Sequence, residues 1–257
     1  MVYYISMIDL YFIFKGIYCM DKKSRKQKAD FFADSMCSGC QRIILSSVFN
    51  KETLNIFSDA SILKTNDNTY GCFGAICVVE DEIIDYQYMV KEQTTVNECE
   101  ILGILLSLNF ANRYKGRFKF INIFSDSLLS VKGLTEYIYG WKYNNYCLYN
   151  SNHEAVANQS MFIEAYELYQ NLLLQSPNIK LFWQAAHMNI QSSKDLCTAT
   201  NKFKQYNHYY GNVDLNFIRY ISQYNNFVDN ATRQYLKRYE QPIYTVNPIK
   251  FFPTHPY

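Results

Sequence analysis

The chain has 257 residues and a formal net charge of +2, with nearly half its residues hydrophobic and only nine Gly and five Pro. That balance excludes wholesale disorder and any collagen-like or low-complexity architecture, and a charge so close to neutral neither demands nor forbids a nucleic-acid partner. The size suffices for one large core with appendages.

Residues 1–50 read as an N-terminal extension. The first nineteen are apolar but carry Asp9 and Lys15, with no basic region before them and no small-residue cleavage site after them. Neither a signal peptide nor a membrane span of about 20 uncharged residues is expected, and the reading is a soluble, cytoplasmic protein. "KKSRKQK" at Lys22–Lys28 is a local basic cluster, as is the run Arg113, Lys115, Arg117 and Lys119. The eight cysteines are scattered through apolar runs, as free thiols of an intracellular protein are. Cys37 and Cys40 form a C-x-x-C without a second ligand pair nearby, so no zinc is expected.

From Thr53 the pattern tightens. "TLNIFSDAS", "DNTYGCFGAICVVE" and "IIDYQYMV" read as three strands joined by a polar loop and the tight turn Glu80-Asp81-Glu82, an antiparallel meander. "TTVNECEILGILLSLNFANRY" follows with helical spacing of Val96, Cys99, Leu102 or Gly103, Leu106 and Phe110. "FKFINIFSD" is a fourth strand, and helices are predicted over about Leu128–Tyr139 and Ala155–Leu173. "NIKLFWQAA" is a fifth strand, and "NNFVDNATRQYLKRY" a closing amphipathic helix. A meander followed by strand–helix alternation predicts one α/β sheet of mixed direction. The tail over 241–257, with four of the five prolines, is predicted extended.

The pentapeptide "NIFSD" occurs twice, at Asn55–Asp59 and Asn122–Asp126. If these strands are parallel neighbours across a right-handed crossover, Asp59 and Asp126 emerge at the same sheet end, about 4.8 Å apart. Two carboxylates that close repel unless a divalent cation bridges them. The intervening helix adds a third. Thr95 and Glu98 have capping-box spacing, which gives Glu98 a structural role, but Glu100 one turn further has none. A carboxylate on an apolar helix face costs several kcal/mol unless compensated, and a shared metal ion would compensate it.

With these residues in place, the chain resembles type I ribonuclease H over roughly residues 53–239. "IFSDAS", "TTVNECE" and "IFSDS" are similar to that family's first strand, T-T-x-N-x-x-E helix start and fourth strand. The resemblance implies an α/β fold with a ribonuclease H-like five-stranded mixed sheet flanked by helices, in a catalytic domain over 51–240. It makes Asp59, Glu100 and Asp126 metal ligands. "LFWQAAH" is similar to the strand leading to the family's mobile-loop histidine, His187. "NNFVDNA" resembles the N-x-x-x-D of its closing helix, giving Asn225 and the fourth carboxylate, Asp229. His187 and Asp229 stand 42 positions apart, farther than in compact members, so Asp195 in "SSKDLC" is an alternative. Asp229 is preferred because Ala231 and Tyr235 continue an apolar stripe after it. The intervening 196–223 is read as an insertion, either a lid or flap or an inert surface loop.

The resemblance further implies two Mg²⁺ ions, with Mn²⁺ able to substitute. It implies hydrolysis of the RNA strand of RNA–DNA hybrids to 5′-phosphate ends, with His187 assisting proton transfer or product release. Ser61, Asn97, Trp141, Lys142, Asn158 and Asn225 would contact nucleic acid. The segment after Trp141 departs from the family's basic protrusion, so substrate grip is either weaker or taken over by Lys22–Lys28. A DNA-cutting nuclease of the same fold, or an inactive hybrid-binding scaffold, remains the alternative. Oligomeric state is left open.

Overall fold

The computed structural model describes residues 50–143, 149, 154–209 and 213–239. The N-terminal extension with Lys22–Lys28 and "CSGC", the Pro-rich tail, most of the segment after Trp141 and the side chain of Lys142 lie outside the described residues. No described helix is long and apolar enough to cross a membrane.

Five strands form one mixed sheet: β1 (Thr53–Lys64), β2 (Thr69–Val79), β3 (Glu82–Glu92), β4 (Phe120–Ser125) and β5 (Ile179–Trp183), in the order β3-β2-β1-β4-β5. β1, β2 and β3 pair antiparallel, whereas β1–β4 and β4–β5 are parallel. The mixed sheet flanked by helices expected from the sequence is the fold the chain adopts.

The two "NIFSD" segments pair residue for residue, from Asn55 against Asn122 to Ser58 against Ser125. Four of the five repeated residue types have a visible use. The isoleucines are fully buried, on the alternate side of the pleat from the asparagines and phenylalanines. The phenylalanines stack at 5.1 Å. Asn122 donates to Asn55 at 3.0 Å, Asn55 donates to the Tyr220 hydroxyl, and Tyr220 donates to the Glu80 carbonyl. Both aspartates then follow in step.

On the Ser58 face lies α1 (Val96–Tyr114). Thr95 caps it by accepting from Glu98 N–H at 3.2 Å. Glu98 does not return the bond of a full capping box; its carboxylate takes the Thr94 hydroxyl and pairs with Lys91. The helix ends before Gly116, whose φ of +82° is the left-handed turn that glycine reaches without strain. Small Gly103 lets the helix approach Ser58 and the Asp59 carbonyl within ordinary contact. Val96, predicted to face inward, is 49% exposed, because the buried stripe begins with Cys99 and Gly103.

The predicted helix over 128–139 is broken into α2 (Leu128–Lys132), a π-helical turn (Gly133–Tyr137) and α3 (Ile138–Tyr143). A Cβ at Gly133 would lie 2.3 Å from the Phe162 ring, so glycine lets this turn approach α4 (Gln159–Gln175) closely.

The opposite sheet face carries α5 (Ser193–Tyr206) and α6 (Leu215–Tyr239). Three expectations are corrected here. The closing helix starts ten residues before "NNFVDNA", so Asp229 sits in mid-helix rather than at its head. The described part of 196–223 is not an inert loop: Leu196, Ala199 and Phe203 are buried, and Phe203 contacts Phe182 and Phe217. The inward stripe of α6 runs through Tyr224, Val228, Thr232 and Leu236, not Tyr235, which is 39% exposed and stacks on Tyr88.

Tyr88 also covers Gly74, the residue paired with Asp59 in β2. A Cβ on Gly74 would come 2.1 Å from the ring of Tyr88. Gly74→Ala should therefore displace that ring and destabilise the fold by about 1–3 kcal/mol. Urea unfolding reads this as a lower midpoint at unchanged slope; an unaltered midpoint would mean the ring moves freely.

Candidate active site

Parallel pairing ends at Ser58 and Ser125, so Asp59 and Asp126 follow from adjacent strands at the same end of the sheet. Glu100, one turn into α1, comes over that end from the other side. One carboxylate oxygen from each of Asp59, Glu100 and Asp126 lies within 4.8 Å of the others, the one such group of potential metal ligands among the described residues.

The electrostatics are those of crowded anions. Burial, then the charge of Asp126, pushes the Asp59 carboxyl up to about 8, despite a 2.6 Å bond from Ala60 N–H to its Oδ1. Burial raises Glu100 well above the usual carboxylate range, with Asp126, Asp59 and Asp229 adding to it. Asp126 is raised by burial too, and drawn back by a bond from Asn225 and by the nearby His187. The other oxygen of Asp59, Oδ2, is buried with no hydrogen-bond partner among the described residues. Three clustered carboxylates, one of them with a buried, bare oxygen, are a donor set that fits a hard divalent cation.

Asp229 enters from α6. It is 7% exposed and its charge bears on Asp59, Glu100 and Asp126, yet it lies outside the three-carboxylate cluster. Its Oδ1 accepts from Arg233 Nε at 2.8 Å, and its Oδ2 lies 3.3 Å from His187 Nδ1. His187 is exposed, on a loop with φ of +48°. Asp195 sits in the first turn of α5, its N–H capped by Ser192, outside the three-carboxylate cluster.

The residues expected to contact nucleic acid divide. Asn97 is exposed in the first turn of α1. Ser61 bonds to Thr232 at 2.8 Å and pins α6 to β1. Trp141 packs edge-on against Phe162 at 5.2 Å, and Asn158 precedes α4 in a left-handed conformation with φ of 60°. Asn225 is 1% exposed: its amide donates to Asp126 Oδ2 at 3.1 Å and accepts from Gln184 Nε2 at 2.7 Å. An interior bond, not a bound strand, uses its amide. The sequence reading missed Gln184 and Arg233. Gln184 gave no signal by itself, but Arg233 stands at i+4 from Asp229, the spacing at which helical side chains meet.

The RNase H family model matches residues 51–201, ending before Asp229. No curated protein sequence matches the chain. Among solved structures, the PFV RNase H domain is 15% identical, with 60% of this chain and 94% of that one covered at a TM-score of 0.46. RNase H1 from the halophilic archaeon Halobacterium salinarum NRC-1 is 16% identical, covering 52% and 86%, with a TM-score of 0.37. The foamy viral protease-reverse transcriptase, solved with an RNA/DNA hybrid, is 15% identical at a TM-score of 0.44; 60% of this chain spans 20% of that one.

Proposed function

The chain belongs to the RNase H family, and from that premise we propose that it is a divalent-metal-dependent endonuclease that hydrolyses the RNA strand of RNA–DNA hybrids. The observation that carries this reading is the convergence of Asp59, Glu100 and Asp126, with one Asp59 oxygen buried and bare. Asp59, Glu100 and Asp126 would hold Mg²⁺ or Mn²⁺, with Asp229 completing the set. Ions held there would polarise the scissile phosphate and lower the pKa of a bound water.

The protein's own groups have distinct tasks. Asn225, held by Gln184, orients Asp126. His187, exposed beside Asp229, is placed to receive or return a proton at the mouth of the site. Asn97 is free at the surface next to Glu100 to meet the 2′-hydroxyl side of a hybrid's minor groove. We assign the catalytic unit to residues 51–240, since Asp229 lies in the α6 helix beyond the family match.

The test is a substrate panel with Mg²⁺. RNA paired to DNA should be cut to 5′-phosphate products, while duplex DNA, duplex RNA and single strands stay largely intact. Binding should weaken steeply with salt, as phosphate contacts require. Comparable cutting of duplex or branched DNA would replace the hybrid reading with a DNA nuclease. Hybrid binding without any cutting would replace it with a scaffold.

A further inference from the structure

Asp229 differs from the other three carboxylates in that its charge is already answered. Arg233 Nε donates to Oδ1 and His187 Nδ1 meets Oδ2, so both oxygens are engaged, whereas Asp59 Oδ2 is bare. Arg233 is one helical turn along α6, and the backbone between them is fixed. Thr232 bonds both the Asp229 carbonyl and Ser61 of β1, which ties this turn to the strand that carries Asp59. Any change in where Asp229 points must therefore come from its side chain and its partners.

The two members of the pair are held unequally. The Asp229 side chain is 10% exposed and that of Arg233 is 53% exposed. The anion is anchored inside while the cation is half in water, where rehydrating a guanidinium costs little. If the pair opens, the arginine is the part that leaves.

We propose that Arg233 is a positioning residue that acts as a resident counter-cation for Asp229. It holds Oδ1 away from the Asp59–Glu100–Asp126 cluster, so that the site takes one divalent ion readily and a second only as the guanidinium lets Asp229 go. The inference rests on the metal-dependent reading given above, and it makes Arg233 the residue that sets how much metal the second position needs.

Calorimetric titration of the full chain with Mg²⁺, and separately Mn²⁺, tests it without reading catalysis. The wild type should show one tighter and one weaker event. Arg233→Gln should tighten the weaker event about three- to tenfold, the range expected when a partly exposed, hydrogen-bonded ion pair no longer competes, and leave the tighter one within about twofold. Lys237→Gln removes an equal charge from an exposed position one turn further along and should leave both events within about twofold. An unchanged or weaker second event in Arg233→Gln would overturn the proposal, as would an equal gain in Lys237→Gln, which would reduce the effect to net charge. A wild type that binds neither ion above the level of Asp59→Asn would instead remove the metal reading itself, and this inference with it.

Discussion

Asp59→Asn, Glu100→Gln and Asp126→Asn should each lower the hybrid-cleavage rate by roughly a thousandfold or more, because each removes about 4 kcal/mol of charge stabilisation from the reacting phosphate. The same changes should not unfold the protein. In the metal-free state Asp59 is a buried carboxyl raised to about 8, first by desolvation and then by Asp126. The folded chain therefore holds a proton more tightly than the unfolded chain between about pH 4 and pH 8, and stability must fall as pH rises through that window. Asparagine carries no such penalty. A tenfold difference in proton affinity between the folded and unfolded chain is worth about 1.4 kcal/mol. With relaxation of the site, a gain of roughly 1–3 kcal/mol is expected for Asp59→Asn at pH 8 in EDTA, shrinking towards pH 4. Thermal unfolding at several pH values reads both the sign and the window. Glu98→Gln is the matched control, since Glu98 faces Thr94 and Lys91 rather than the cluster; it should keep most activity. A dead Glu98→Gln beside an active Glu100→Gln would reverse the roles given to these two residues.

The second large effect separates Asp229 from Asp195. Asp229→Asn should reduce cleavage by about a hundredfold or more, because its charge reaches all three clustered carboxylates and it sits against His187. It should also leave Arg233 without its partner. Asp195→Asn should keep activity within about twofold, and its stability loss should be no more than about 1 kcal/mol from the first turn of α5. Steady-state kinetics on one hybrid substrate compares them directly. Equal loss at both positions would draw α5 into the chemistry.

Much of this was legible in the sequence because the informative features are local. The repeated "NIFSD" signalled two strands delivering aspartates to one place, and the residue-by-residue pairing of those strands is what the structure has. The Thr95 cap followed from spacing alone. What the sequence did not reveal depends on contacts across the fold. Asn225 could be read as a surface contact until the amide of Gln184, 41 positions away, was seen to bind it. The start of α6 was misplaced because "LNFIRYISQY" is rich in β-branched and aromatic residues that suit a strand as well as a helix; burial of Phe217, Ile218 and Ile221 against the sheet decides it. The α5 helix was in principle readable, since Leu196, Ala199 and Phe203 repeat at helical spacing, but the resemblance left 196–223 as an insertion and gave no reason to look for a core element there. The π-helical turn begins at Gly133, which packs closely on Phe162, a contact that sequence order hides.

The most direct test of the central claim is single-turnover cleavage of a hybrid labelled on each strand in turn, with Mg²⁺ or EDTA, by the wild type and by Asp59→Asn. The account predicts Mg²⁺-dependent cutting of the RNA strand by the wild type, none in EDTA, and none by Asp59→Asn despite an intact fold. Cutting that survives EDTA, or survives the loss of Asp59, would contradict it.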